Sequence, residues 1–312
     1  MNTYISIIIP AYYEQDNIEP IYRKITEHLV PYLDRYTYEI IFIDDGSKDQ
    51  TWSRIAQIAD QDARVRGIKF SRNFGHQMAL TAGYDVACGD AIISMDADLQ
   101  DPPELLIPMI CAWQQGAHMV YARRAQRKDG FLKKITAGWY YYLLSKVSDV
   151  HIPRHVGDFR LIDRKVLTTL AQCREKARYL RGMVAWTGFT STYIEFERPN
   201  RHAGVTGYTW KKMIKLAGDG LTSFSTFPLR LIGYCGVLIL GITSVMSGYF
   251  LYRCMVYGDQ VVFMNSLGLI ILGVLGAQSV ALWILGLYVG RIYQESQKRP
   301  LYIVEKVCNE KQ

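Results

Sequence analysis

Residues 92–104 read IISMDADLQDPPE, an apolar run that ends in two carboxylates one residue apart. On an extended backbone, residues i and i+2 point to the same side, so Asp96 and Asp98 are expected to converge on one spot. Two anions held together repel unless a cation lies between them. Hard oxygen ligands select Mg2+ or Mn2+, and Mg2+ usually shares its coordination with substrate phosphate. Gln100, two residues further on, is placed to add a neutral oxygen or to orient a metal-bound water. Asp101, before Pro102 and Pro103, reads as a turn or helix cap.

Such a pair needs a scaffold that ends at the right place. YISIIIPAYY (4–13) is short, β-branched and closed by Pro10, which predicts a buried strand. Ile18, Ile21, Ile25 and Leu29 recur at helical spacing. YEIIFIDDGSKDQT predicts a second strand running into a turn, with Asp49 or Thr51 capping a helix from Trp52. RGIKFSRN predicts a third strand, HQMALTAGYDVAC a helix and AIISMDADLQ a fourth strand. This alternation predicts an α/β fold with a mostly parallel sheet and helices on both faces. Ligands of open α/β sheets bind beyond the carboxyl ends of the strands. PAYYE (10–14), DDGS (44–47) and DADLQ (96–100) all fall there.

The formal charge of +7 suits anionic partners such as phosphates, nucleotides or anionic lipid, and identifies none of them; no nucleic-acid partner is expected. The 6 cysteines show no C-x-x-C spacing, so neither zinc nor a disulfide framework is expected. The chain opens into YISIIIP without a basic leader, so no cleaved signal is expected. Residues 229–252 and 265–289 are apolar all round, and each is long enough to cross about 30 Å of hydrocarbon as a helix. Lys211, Lys212, Lys215 and Arg230 precede the first span, and Arg291, Lys298 and Arg299 follow the second. This bias places both termini in the cytoplasm and the 253–264 loop outside. Residues 131–147 and 208–224 mix cations with aromatic and aliphatic residues and read as interfacial helices on anionic lipid. The expected organisation is a cytosolic domain over 1–207, a juxtamembrane amphipathic helix over 208–228, and a two-span region with a short cytosolic tail over 229–312.

In this order and spacing, SIIIPAYYEQDNI, FIDDGSKDQT, FSRNFGHQMAL and MDADLQDPPE resemble family 2 glycosyltransferases of the A-type, Rossmann-like fold. VGDFRLIDR (156–164), GLTSFSTFPLR (220–230) and YVGRIYQESQKRP (288–300) narrow the resemblance. It is to polyprenyl-phosphate glycosyltransferases, that is, the bactoprenol glucosyltransferases of O-antigen modification and the related dolichyl-phosphate mannose synthases. The resemblance implies an inverting, metal-dependent transfer of a hexose, glucose from UDP-glucose, to undecaprenyl phosphate at the cytoplasmic face of a bacterial inner membrane. Another sugar (GlcNAc, mannose, an aminoarabinose-like sugar) and a non-catalytic scaffold or flippase partner are the alternatives. A processive synthase would carry a Gln-x-x-Arg-Trp motif, and the sequence has none. The resemblance also allows self-association through the membrane helices, and a flippase and a second glycosyltransferase acting downstream.

Site residues follow the same resemblance. Pro10, Tyr12, Glu14 and Asp45 would bind the nucleotide, Asp45 accepting the imide N–H of uracil, and Asp44 would support the loop. Asp96, Asp98 and Gln100 would hold Mg2+ or Mn2+ on the diphosphate. Arg124, Arg127 and Lys134 would face the acceptor phosphate. Arg201 opens RHAGVTGY, which matches the family's Arg-x-x-Gly-x-Ser/Thr-Lys-Tyr clamp on the donor diphosphate, except that Gly207 stands in place of the Lys. Tyr13 replaces the usual Asn between Tyr12 and Glu14, and Leu287 a usual Glu in the last span. Asp158, Asp98 and Arg160 would form the catalytic set. Relatives place the acid of Gly157-Asp158-Phe159-Arg160 near the reacting centre, often as the base. A phosphomonoester has a second pKa of about 6 and needs no deprotonation near neutral pH. Asp158 is therefore expected to orient Arg160 or the acceptor.

Overall fold

The isoleucine run of β1 (Thr3–Ala11) is buried from Ile5 onward. Its near-continuous apolar character has a plain cause: β1 is bonded along both edges, parallel to β2 (Tyr36–Asp44) and to β4 (Ala91–Ser94), and both its faces are covered. This computed structural model describes residues 3–125, 156–197, 227–258 and 260–309. On one face, Ile5, Ile7 and Ile9 join a core with helix α1 (Ile18–Leu29), α2 (Thr51–Gln61) and α4 (Leu106–Gln114). The buried stripe of α1 is Ile18, Ile21, Ile25 and Leu29, as the spacing predicts. Asp49 Oδ1 accepts from Thr51 N (3.1 Å) at the start of α2. On the opposite face α3 (His76–Val86) lies so close to β1 that a Cβ on Gly83 would collide with Ile8.

Among the described residues the sheet has 8 strands in the order β7-β5-β6-β4-β1-β2-β3-β8. The β3-β2-β1-β4 half is parallel, with β3 spanning Val65–Phe70. β6 (Val156–Asp163) enters antiparallel to both β4 and β5 (Met119–Arg124), and β7 (Ser191–Phe196) pairs parallel to β5. Helices α5 (Arg164–Gln172) and α6 (Leu180–Trp186) follow β6. The segment read as a short tail is itself a strand: β8 (Val304–Cys308) pairs antiparallel with β3 and closes that end of the sheet.

A second compact unit holds α7 (Phe227–Tyr257) and α8 (Gln260–Ser296). Both are long and apolar enough to cross a membrane, over Leu231–Tyr257 and Gly273–Ser296.

Candidate active site

Parallel pairing lines up the ends of β1, β2 and β4. Ala11 stands beside Asp44 and Ile8 beside Ser94, so PAYYE, DDGS and the D-x-D loop leave one edge of the sheet together. Antiparallel β6 begins where β4 ends, with Ser94 opposite Arg160, which delivers Asp158 to the same edge. Ser94 Oγ donates to the Asp158 carbonyl (2.6 Å) and pins it there. β5 reaches this edge at Arg124, whose Nη2 lies 3.6 Å from where a Cβ on Gly157 would stand.

Asp158 is the centre of a charge cluster. Its Oδ1 accepts from Arg160 Nη2 (2.7 Å) and Arg181 Nε (3.2 Å), and its Oδ2 from Arg181 Nη2 (2.9 Å). His76 Nε2, on the first residue of α3, lies 3.3 Å from Asp158 Oδ2 and 3.7 Å from Asp96 Oδ1. Burial opposes ionisation of Asp158, yet Arg181, His76 and Arg160 outweigh it and hold the carboxyl well below the usual range. Burial likewise works against the imidazolium of His76, but Asp158 and Asp96 raise it above the ordinary histidine value. Arg160 is fully buried, and its Nε and Nη1 find no hydrogen-bond partner among the described residues. His76 and Arg181 were not singled out from the sequence. His76 had a signal, since it follows a glycine at a helix start beyond a strand. A lone arginine on a seven-residue helix had none.

The D-x-D pair differs from its expectation. β4 stops at Ser94, so Asp96 and Asp98 lie in a turn beyond it, and strand alternation does not align them. The Asp101 side chain closes the turn that follows. Asp101 Oδ2 accepts from Asp96 N (3.0 Å), and Leu99 takes a left-handed conformation at φ 60°. Asp98 is buried with Oδ1 accepting from Gln100 N (3.1 Å), whereas the Asp96 side chain is 35% exposed beside His76. The described residues gather no group of three His, Cys, Asp or Glu that could hold a metal. The Asp pair still suits a hard divalent ion that takes most of its ligands from substrate phosphate and water.

The DDGS turn interlocks with the loop after β3. Asp44, fully buried, closes its own turn by accepting from Ser47 N (2.9 Å). Asp45 has both oxygens engaged: Oδ1 by Phe74 N (2.7 Å), Oδ2 by Gly75 N (2.9 Å) and Asn73 Nδ2 (2.9 Å). Burial pushes its carboxyl up to about 6 against the pull of these N–H groups. Gly46 sits at φ 75°, and a Cβ there would meet Arg72 Cα at 2.7 Å. Pro10 is buried within β1, while Tyr12 is exposed and packs edge-on against Tyr13 (centroids 4.5 Å apart). Tyr13 is held at φ 58°, its N–H on Ser47 Oγ (3.0 Å). Glu14 N donates to Thr51 Oγ1 (3.0 Å), and its carboxylate accepts from Asn17 Nδ2. Strained backbone of this kind gathers at functional sites. Arg127, Lys134, Arg201 and Gly207, with the expected interfacial helices 131–147 and 208–224, lie outside the described residues.

Comparison with known proteins identifies the family. Residues 6–170 match the model of glycosyl transferase family 2. The chain is 44% identical over 302 residues to the glycosyltransferase YkcC of Bacillus subtilis (strain 168), covering 96% of this chain and 93% of that one. It is 41% identical over 309 residues to the bactoprenol glucosyl transferase of Shigella phage SfV, covering 99% of each. A remoter likeness is to the glucosyl-3-phosphoglycerate synthase of Mycobacterium tuberculosis, at 18% identity and a TM-score of 0.44, covering 69% of this chain and 76% of that one. The family model over residues 6–170 and the relatives matched along nearly the whole chain place it in glycosyl transferase family 2, as a glycosyltransferase.

Proposed function

We propose that this glycosyltransferase moves a hexose, glucose, from UDP-glucose to a polyprenyl phosphate at the cytoplasmic face of a bacterial inner membrane. The observation that carries the reading is the cationic shell of Arg160, Arg181 and His76 around Asp158, next to the Asp96–Asp98 loop. Such a site suits two phosphate groups meeting at one sheet edge. The name of the phage SfV relative supplies the acceptor class.

In the reaction, an acceptor phosphate oxygen attacks the anomeric carbon, and the bond from that carbon to the donor diphosphate breaks, with inversion. The phosphate is largely dianionic at neutral pH. Asp158, held ionised by its partners, is a weak proton acceptor. Its work is to hold Arg181 at the reacting phosphates, with the fully buried Arg160 bracing the carboxylate from within. By the family resemblance, Arg124, Arg127 and Lys134 would serve the acceptor phosphate, and Arg201 the donor diphosphate. Asp96 and Asp98, with Gln100, would hold Mg2+ or Mn2+, which when bound neutralises charge on the leaving diphosphate. Tyr12 and Glu14 border the nucleotide, and Asp45 shapes its pocket through the 73–75 loop.

The two apolar helices anchor the domain beside its lipid acceptor. The pairing of β8 with β3 supports one compartment for the chain on either side of these helices, and hence a pair of crossings. This supports a two-span topology with both ends cytoplasmic. A flippase and a second glycosyltransferase would consume the product in cell-surface glycan modification, O-antigen included.

The test is purified protein in lipid nanodiscs, undecaprenyl phosphate, MgCl2 or MnCl2, and a panel of nucleotide-sugars. Glucosyl transfer from UDP-glucose alone is expected. Transfer of a different sugar overturns the donor assignment, and no transfer to the lipid overturns the acceptor.

A further inference from the structure

The loop after β3, residues 71–75, donates the N–H groups that hold Asp45. Its two flanks, β3 and α3, belong to different layers. The C-terminal segment ties those flanks together. The Tyr302 ring stacks on Phe70, the last residue of β3, with centroids 5.0 Å apart and planes at 16°. Its hydroxyl donates to Asp85 in the last turn of α3 (2.9 Å), which also pairs with Arg174 (2.9 Å). The Ile303 carbonyl accepts from Ser71 N (3.1 Å), the first residue of the loop. Phe70 packs edge-on against Phe74 (5.7 Å), and Arg72 covers the other ring contact of Phe74 at 4.0 Å.

The anchorage continues down the strand. β8 pairs with β3 from Gly67 to Phe70, and the Cys308 thiol fills the space over Gly67. Asn309 Nδ2 reaches the carbonyls of Val65 (2.9 Å), Ala59 (3.4 Å) and Asp62 (3.4 Å), securing the far end. An edge strand could be satisfied by pairing alone. A side chain that bridges both flanks of one loop does more than cover an edge.

We propose that the C-terminal strand is part of the donor site: Tyr302 and Ile303 position the 71–75 loop behind Asp45, so affinity for the nucleotide depends on residues that follow the second apolar helix. This rests on the reading that Asp45 and its loop serve the donor nucleotide. Tyr302 is a positioning residue, since it acts through Phe70, Ser71 and Asp85.

The experiment measures UDP binding with MnCl2 present by calorimetry, and kcat and KM for UDP-glucose, on full-length protein in nanodiscs. Wild type is compared with Tyr302→Ala, Tyr302→Phe and Asp45→Ala. Loss of an aromatic pair predicts a Kd for UDP about 3- to 10-fold weaker for Tyr302→Ala, with kcat at saturating donor kept. Tyr302→Phe keeps the stacked ring and loses the bond to Asp85, so its Kd is expected between those of wild type and Tyr302→Ala, a graded rescue that general loosening of the fold would not give. Should the alanine variant fail to fold, Tyr302→Leu keeps bulk without the flat face and is expected to show the same split. If Asp45→Ala weakens UDP binding and Tyr302→Ala (or Leu) does not, the tail's role is overturned and the donor site stands. An equal fall in kcat at saturating donor overturns it too. If Asp45→Ala leaves UDP affinity unchanged, the donor-site reading fails, and the tail proposal fails with it.

Discussion

Asp158 carries a negative charge into a buried place and is surrounded by three groups that favour that charge. A general base must give up such stabilisation to accept a proton, which argues for positioning. Asp158→Asn keeps the shape and loses the charge, so Arg181 and Arg160 lose their anchor. We expect a large fall in kcat that stays nearly constant from about pH 6 to 8.5, across the second ionisation of the phosphate. A defect that fades steadily toward high pH identifies a base instead. Asp96→Asn and Asp98→Asn are expected to abolish transfer without unfolding, since a neutral amide cannot hold a divalent ion against a diphosphate, and chelation should do the same. Full turnover in excess EDTA would refute the metal assignment.

Asp45 makes a separate claim on stability. Its carboxyl is raised from the ordinary 3.8 to about 6, mainly by burial. A group raised in this way stabilises the fold while protonated. Its contribution is fully present below pH 3.8 and is lost as pH rises through about 6, some 3 kcal/mol in all. The thermal midpoint of wild type relative to Asp45→Ala should therefore be higher at pH 5 than at pH 7.5. In turnover, Asp45→Ala should raise KM for the donor and leave kcat nearly intact, because Asp45 is assigned to the nucleotide and not to the reacting carbon.

At the scale of elements, the site depends on loops that interlock. The DDGS turn and the loop after β3 meet where Gly46 lies against the Arg72 backbone, with φ at 75°. Gly46→Ala adds about 1–2 kcal/mol of left-handed strain and a collision that only backbone movement relieves. We expect a thermal midpoint lower by roughly 3–8 °C, and donor KM raised as Asp45 loses register with Phe74 and Gly75. An unchanged midpoint and KM would show that the two loops move independently. The sheet edge also explains why acids from β1, β2, β4 and β6 share one region while the equally buried Glu39 does not. Glu39 is paired with Arg66 (3.3 Å) and Ser6 (2.6 Å), a satisfied buried group away from the strand ends.

For the whole molecule, β8 is the informative strand. It makes residues 3–125 and 304–309 neighbours in one sheet, with two membrane-length helices between them in the chain. A reporter at Gly258, between α7 and α8, should fall on the opposite side of the membrane from one fused after Gln312. Both reporters on one side would exclude a spanning pair.

Much of this was legible in local pattern. The stripe of α1, the buried run of β1 and the two long apolar helices each follow from side-chain period and length, properties that a segment carries by itself. The shared acid edge followed because parallel strands must end together. β4 ends sooner than its apolar run suggests, since Asp101 and the left-handed Leu99 turn the chain, and such turn bonds are not visible in hydrophobic pattern. The partners of Asp158 come from positions 76, 160 and 181, and β8 joins a strand some 240 residues before it in the chain. Pairings across such separations answer to packing and to the entropy of closing long loops. The residue types present were decided by the sequence alone; which of them meet at the sheet edge was decided by the antiparallel entry of β6 and the return of the tail.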